Sequence, residues 1–332
     1  MKRANDDDAP LHHRPGGGFR NPWPAAAPHG TSGFLKWMLT RSRRKPLVES
    51  APIRAKALKN FPTDANKHSV AWVGHSTFLI QLSGLNILTD PIWSERASPI
   101  SFAGPRRLVP PGFLLEQLPE IHATLLSHDH YDHLDDVTVR YLIRRFPSMQ
   151  WLVPLGVAEF LVSRGATAVT ELDWWELTSL GGATFSCTPA QHFSGRFPWS
   201  RNATLWCGWA VRSPEKTVFF AGDTALHPDF EEITRRFGPF DVSILPIGAY
   251  DPRWFMHNVH MDPSEAVKAF VAMQNTNGLA GGIMVGSHWG TFRLTDEPID
   301  EPPFLARQSW AEAGLVSDRL WILSAGETRT LG

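Results

Sequence analysis

Residues 127–135 read SHDHYDHLD, three histidines and three aspartates within nine positions, directly after the apolar run Ala123-Thr124-Leu125-Leu126. A short apolar run of this kind is a buried strand, and ionisable groups at its end are costly unless something compensates them. A bound cation is the usual compensation. Imidazole and carboxylate donors without thiolates suit zinc, iron or manganese. The stretch therefore requires a fold that carries a strand into an enclosed polar loop.

Partners for the cluster stand at the ends of other expected strands. Residues 184–188 run into Pro189-Ala190-Gln191-His192, residues 217–221 into Gly222-Asp223-Thr224, and residues 282–287 into His288. Loops at strand ends are where a rigid scaffold presents chemistry. One catalytic ion takes about three protein ligands and keeps a position open. With His128, His130, Asp132 and His133 the candidates number at least seven, too many for one such ion and suited to two. Two-ion sites usually share a carboxylate, and Asp223 is the natural bridge. A lone histidine after a strand, or a lone Gly-Asp-Thr, would be an ordinary turn; HxHxDH has no packing rationale.

The rest of the chain reads as a scaffold for such loops. Residues 70–73 and 77–82 are expected strands, with Ser83-Gly84-Leu85-Asn86 as a turn and residues 87–89 returning. Strands at 123–127, 151–153 and 168–172 alternate with helices at 137–146 and 156–164, the first capped by Asp135 or Asp136. The second half repeats this logic. Residues 205–212 and 217–221 make a hairpin, and helices at 229–237, 263–273 and 303–313 alternate with strands at 241–245, 282–287 and 320–323. The pattern is α/β (α+β), two mixed sheets with helices outside.

At 332 residues, 42% of them hydrophobic, the chain can bury a large core. Its net charge of -1 provides no basic face, so nucleic acid is not an expected partner. The two cysteines, Cys187 and Cys207, offer no disulfide framework and no cysteine-based metal site. Met1-Lys2-Arg3 has no apolar segment behind it, and no run approaches the roughly 20 apolar residues of a membrane span. A reducing, cytoplasmic setting is the expectation. Residues 1–60 read as a flexible arm and residues 61–332 as the catalytic domain. Within the arm, residues 33–45 place Phe34, Leu35, Trp37, Met38 and Leu39 before Arg41, Arg43, Arg44 and Lys45. That pattern suits a short interfacial helix on the anionic inner face of a membrane, or a docking segment with a solvated tail.

HxHxDH followed by His, Asp and His in this order resembles the metallo-β-lactamase superfamily over roughly residues 68–328. The resemblance implies an αββα sandwich with a dinuclear site in its mouth. It implies His128, His130 and His192 on the first metal, Asp132, His133 and His288 on the second, and Asp223 shared. Asp129 faces elsewhere by this mapping, and Tyr131 flanks the site as a substrate contact. FRNPWP at 19–24, WVGHST at 72–77, LTDPIWSERASP at 88–99, ELDWWE at 171–176, FEEITRRFGPFD at 230–241 and PIGAYDPRWFM at 246–256 resemble one subfamily more closely. It is the N-acylphosphatidylethanolamine-hydrolysing phospholipase D. The short N-terminal segment and Val259 before His260 depart from the animal enzyme, so a bacterial-type relative with another lipid or phosphodiester substrate stays open.

The implied chemistry is attack of a hydroxide bridging two divalent ions, zinc first with iron or manganese as alternatives, on the phosphorus of an N-acylated phospholipid. Phosphatidic acid and an N-acylethanolamine leave. A lactonase of the ascorbate-6-phosphate type is the alternative enzyme. A nuclease is disfavoured by charge, a metal-free scaffold by the intact ligand set, and a homodimer stays open. His260, in HMDPSEA, reads either as a substrate-phosphate or leaving-group contact or as a neighbour of the helix that Asp262 caps. His75 reads as a support for the ligands. Trp93, Trp174, Trp175, Trp254 and Trp289 are candidates for lining an acyl groove.

Overall fold

A computed structural model describes residues 10–23, 30–41, 67–197, 199–276 and 281–332. The first sheet contains β1 (Ser69–Gly74), β2 (Thr77–Leu82), β3 (Leu85–Thr89), β4 (Ala123–Leu125), β5 (Gln150–Pro154) and β6 (Val169–Leu172) in chain order, closed at the β1 edge by β14 (Thr328–Thr330). The second contains β7 (Leu177–Leu180), β8 (Ala183–Thr188), β9 (Gly208–Arg212), β10 (Thr217–Phe220), β11 (Val242–Pro246), β12 (Ile283–Ser287) and β13 (Leu320–Trp321). In each sheet an antiparallel half leads into a parallel half: β3 to β6 run parallel, as do β10 to β13.

Strand alternation builds the layers. Val70, Trp72, Phe78 and Ile80 point between the sheets and pack with Phe185, Trp209 and Phe219. Ala71, Val73 and Leu79 point outward and are covered by Val139 and Leu142 of α2 (Asp136–Arg145) and Leu161 of α3 (Ala158–Val162). The other outer face is covered by α4 (Phe230–Phe237), α6 (Pro263–Asn275) and α7 (Glu301–Glu312). Both faces of β1 and β2 are thus buried, which is why these strands read as unbroken apolar runs. The architecture is the expected αββα sandwich.

The departures from expectation are local. The first hairpin turns on Ser83 and Gly84 alone, both at positive φ, so β3 starts two residues earlier than expected. β7 and β14 were not expected from the sequence. LTSL is half exposed and TRT is polar; pairing to β8 and β1 makes them strands. The capping box at Asp262 and Glu265 starts α6 as expected.

The arm expected to be flexible is anchored at several of its described residues. Phe19 is buried in the main core, and Asn21 Nδ2 donates to the His192 carbonyl at 3.0 Å. The burial of Phe19 and the stacking of Trp23 on His227 supply what a solvated arm lacks. Within the expected interfacial segment, α1 (Thr31–Thr40) is a helix whose Trp37 is buried, its Nε1 donating to Asp296 at 2.9 Å. Arg41 pairs with the same carboxylate, while Arg43, Arg44 and Lys45 lie outside the described residues. No described helix is long and apolar enough to cross a membrane.

Candidate metal centre

The C-terminal ends of the parallel strands converge on one point. β4 delivers the 127–135 loop, β10 leads to Asp223 and β12 to His288, while antiparallel β8 leads to His192. Two glycines allow the close approach. A side chain at Gly222, φ +61°, would meet Ser127 Cβ at 2.5 Å, and one at Gly248 would meet the His288 carbonyl oxygen at 2.2 Å. His75 and His288 hold left-handed backbones, φ 55° and 59°, and are joined by a 3.2 Å bond from His288 N to the His75 carbonyl. Strain of this kind persists where surrounding structure fixes it.

All seven expected ligands come together. The donor atoms of His128, His130 and His192 lie within 4.8 Å of one another, as do those of Asp132, His133 and His288 together with His75. Asp223 Oδ2 is common to both groups. It stands 3.1 Å from His133 Nε2 and His288 Nε2, 3.8 Å from His192 Nε2 and 3.9 Å from His128 Nε2. His260 joins this side, its Nδ1 4.0 Å from the same oxygen.

The supporting hydrogen bonds aim each ring. His133 Nδ1 donates to Asp90 at 2.7 Å, and His192 Nδ1 donates to the Val259 carbonyl at 2.9 Å. His128 Nδ1 donates to Ser127 Oγ, whose own proton goes to Asp90. In all three rings the Nε2 lone pair is left facing the centre. Asp132 is held by His75 Nε2 at 2.9 Å, which is the supporting role expected for His75. Asp90 and Ser127 were missed in the sequence. The signal was Thr-Asp-Pro at the end of β3, the strand beside β4.

The electrostatics demand positive charge. Burial opposes a charge on His133, yet Asp223, Asp132 and Asp90 outweigh it and hold the ring well above its usual range. His288 is lifted the same way, by Asp223 and Asp132, to about 9. The reverse holds for the carboxyls: burial would raise Asp223 and Asp132, but His133 and His288 keep Asp223, and His133 keeps Asp132, well below the carboxylate range. His130 falls to about 3 and His192 to about 4, chiefly through burial. Meanwhile His133 Nε2, His288 Nε2, His260 Nδ1 and Asp223 Oδ1 are buried without hydrogen-bond partners among the described residues. Orphaned inward-facing donors around a carboxylate pair fit cations, and thiolate-free ligands fit zinc, iron or manganese.

The cluster floors a cavity of about 420 Å³. Its walls are mostly apolar, Phe34 and Trp37 from α1 with Phe193, Phe255, Met256, Val259 and Leu294, and Arg201 and Thr295 are their polar members. None of the five tryptophans considered for an acyl groove lines it. Trp289 stacks on Trp72, Trp174 on His12, Trp175 on Phe237; Trp93 bonds the Phe113 carbonyl, and Trp254 lies outside under Lys36. Trp37 takes that place because helix docking, not local sequence, brings it there. Asp129 faces away, as expected, accepting from Gly195 N at 2.7 Å. Tyr131 also faces away, which corrects its expected substrate contact. Its neighbours His130 and Asp132 turn inward, while its hydroxyl donates to the Arg196 carbonyl and its ring lies under that guanidinium, lining a separate cavity.

Comparison with known proteins places this geometry. The model of the beta-lactamase superfamily domain matches residues 85–289. An uncharacterized protein of Mycobacterium tuberculosis is 44% identical over 273 residues, 81% of this chain and 71% of its own length. The N-acyl-phosphatidylethanolamine-hydrolyzing phospholipase D 1 of Caenorhabditis elegans is 39% identical over 272 residues, 79% of this chain and 74% of its own. Igni18, a metallo hydrolase of Ignicoccus hospitalis, superposes with a TM-score of 0.59 at 22% identity, covering 80% of this chain and 99% of that one, a likeness of fold.

Proposed function

This chain belongs to the metallo-β-lactamase superfamily and is a metal-dependent hydrolase, and on that premise we propose a phospholipase D-type activity on N-acylated ethanolamine phospholipids. The products would be phosphatidic acid and an N-acylethanolamine. One observation carries the reading: a cluster that demands cations floors a cavity whose walls are mostly apolar, with Arg201 as their one cationic side chain among the described residues. A phosphodiester suits the floor and acyl chains suit the walls.

In this reading His128, His130 and His192 hold one ion, Asp132, His133 and His288 the second, and Asp223 both. Two such ions, zinc first with iron or manganese as alternatives, would ionise a water near neutral pH and neutralise phosphoryl oxygens. Asp90, Ser127 and the Val259 carbonyl keep the ligand rings aimed, and His75 holds the Asp132 carboxylate. The water oxygen bonds phosphorus, the bond from phosphorus to the ethanolamine oxygen breaks, and that oxygen takes a proton. His260 is placed to contact it. Burial first, with the His192 and His288 rings, keeps His260 well below the usual imidazole range despite Asp223, so it acts as a neutral hydrogen-bond donor.

Residues 61–332 supply the proposed catalytic groups, and α1 completes the cavity wall. Leu35 and Leu39, 60% and 79% exposed, with Phe34 and Met38, would rest on a lipid surface beside the opening. Hydrolysis of N-acylphosphatidylethanolamine in mixed micelles in 18O-water tests the reading. Label in phosphatidic acid is the expected result. Diacylglycerol, free fatty acid, or turnover of a lactone alone would contradict it.

A further inference from the structure

Among the described residues one further set of metal-capable side chains converges outside the catalytic cavity. His12 Nε2 stands 2.7 Å from Asp173 Oδ1, and His13 Nε2 stands 2.8 Å from Asp173 Oδ2. Adjacent residues ordinarily send their side chains apart. Here a small hairpin turns both rings back onto one carboxylate 160 residues further along the chain. His13 N bonds the Pro10 carbonyl, Arg20 N bonds the His12 carbonyl, and His13 bridges to Phe19 across Gly16, Gly17 and Gly18, all at positive φ.

Every donor is held before any ion arrives. His12 lies flat on Trp174 with ring centres 4.2 Å apart, and His13 meets Phe19 edge-on at 5.1 Å. Trp174 N fixes the carboxylate by donating to Asp173 Oδ1 at 2.8 Å. Packing that locks the ligand rotamers and a bond that orients the carboxylate are what a metal site requires of its surroundings. The donors of the proposed two-ion cluster stand as close, His128 Nε2 and His130 Nδ1 being 2.8 Å apart. Exposure is graded as well: the His12 and Asp173 side chains are 7% and 16% exposed, and that of His13 is 30%. Two donors are enclosed and one edge opens to water.

We propose that His12, His13 and Asp173 form a third metal site, structural in role, that takes a divalent transition ion such as zinc with water completing the coordination. Three protein ligands of nitrogen and oxygen suffice for such an ion. Each ring would bind through Nε2 and carry its N–H on Nδ1. The ion would close a loop between the N-terminal strap and the start of the second sheet. Its free energy would add to fixing residues 10–23, whose Asn21 bonds the carbonyl of His192.

The test counts ions. Metal-free full-length protein is loaded with excess zinc, desalted and analysed, alongside His12→Gln/His13→Gln, which keeps hydrogen-bond donors facing Asp173. The wild type should retain about one more zinc per chain than the double variant. Zinc should also raise its Tm further and protect the strap from proteolysis in a chelator-sensitive way. Asp173→Asn is a second variant with the same expected loss, should the double variant fold poorly. Equal zinc content and equal zinc-induced Tm gain in wild type and variants would overturn the proposal and leave a pair of hydrogen bonds.

Discussion

The two sheets deliver their share of the candidate metal cluster in opposite ways. The first gives His128, His130, Asp132 and His133 from a single loop after β4. The second gives His192, Asp223 and His288 one at a time, each at the end of a different strand. The dense loop announces a metal by its own composition. The scattered residues mean nothing singly and gain a role only where the sandwich brings three strand ends to one point. A site of this kind is specified half by local sequence and half by topology.

The largest expected effect falls on the residue where the two halves meet. Asp223→Ala removes the oxygen that faces four imidazoles of the ligand set, and should cost on the order of 10³-fold or more in phosphodiester turnover. It should also lower metal content. His130→Ala, which strips one donor from the first half, should cost less. Equal losses, or a fully active Asp223→Ala enzyme, would break the view of Asp223 as the shared ligand.

Supports should follow the same division. Asp90 touches no expected ion but holds His133 and Ser127. Asp90→Asn should weaken zinc affinity by about 10–100-fold. Zinc competition titration checks this; unchanged affinity would mean that the loop orients itself. In the second half, His260→Asn should keep metal content and the fold but lose at least roughly tenfold in turnover, about 1.4 kcal/mol of barrier. Loss of an ion in that variant would move His260 into the ligand set.

How much of this was legible depends on whether a residue's role is local. HxHxDH, the buried runs of β1 and β2 and the Asp262 cap carry their meaning in a few neighbouring residues, and the structure agrees with the placing of that motif after a buried strand, with both strands and with the cap. Tyr131 was misread because motif membership says nothing about which way a side chain between two inward-facing ligands turns. The acyl-groove tryptophans were misread because all are apolar and only docking of α1 selects Trp37. Asp90 went unassigned because its partners, Ser127 and His133, lie about 40 residues away. β7 and β14 were invisible because edge strands owe their conformation to the strand beside them.

The last effect falls on stability rather than turnover and separates the cluster from an isolated histidine. His227, buried between Trp23 and Phe230 with no carboxylate acting on it among the described residues, is lowered by burial from 6.5 to about 3. Below about pH 6.5 the unfolded chain binds a proton that the folded chain excludes, so stability should fall as pH drops and level off near pH 3. At pH 5 the cost is about 2 kcal/mol. His227→Phe should flatten the decline in urea midpoint between pH 7 and 5. An unchanged slope would assign the acid sensitivity to other groups.

The central claim is that both sheets build one two-ion centre around Asp223. Anomalous diffraction at the zinc edge from crystals of zinc-loaded protein tests it most directly. Within the cavity the account predicts two peaks roughly 3.5–4 Å apart flanking the Asp223 carboxylate, one against His128, His130 and His192 and the other against Asp132, His133 and His288. A single peak within the cavity, or a pair of peaks there that Asp223 does not touch, would contradict it.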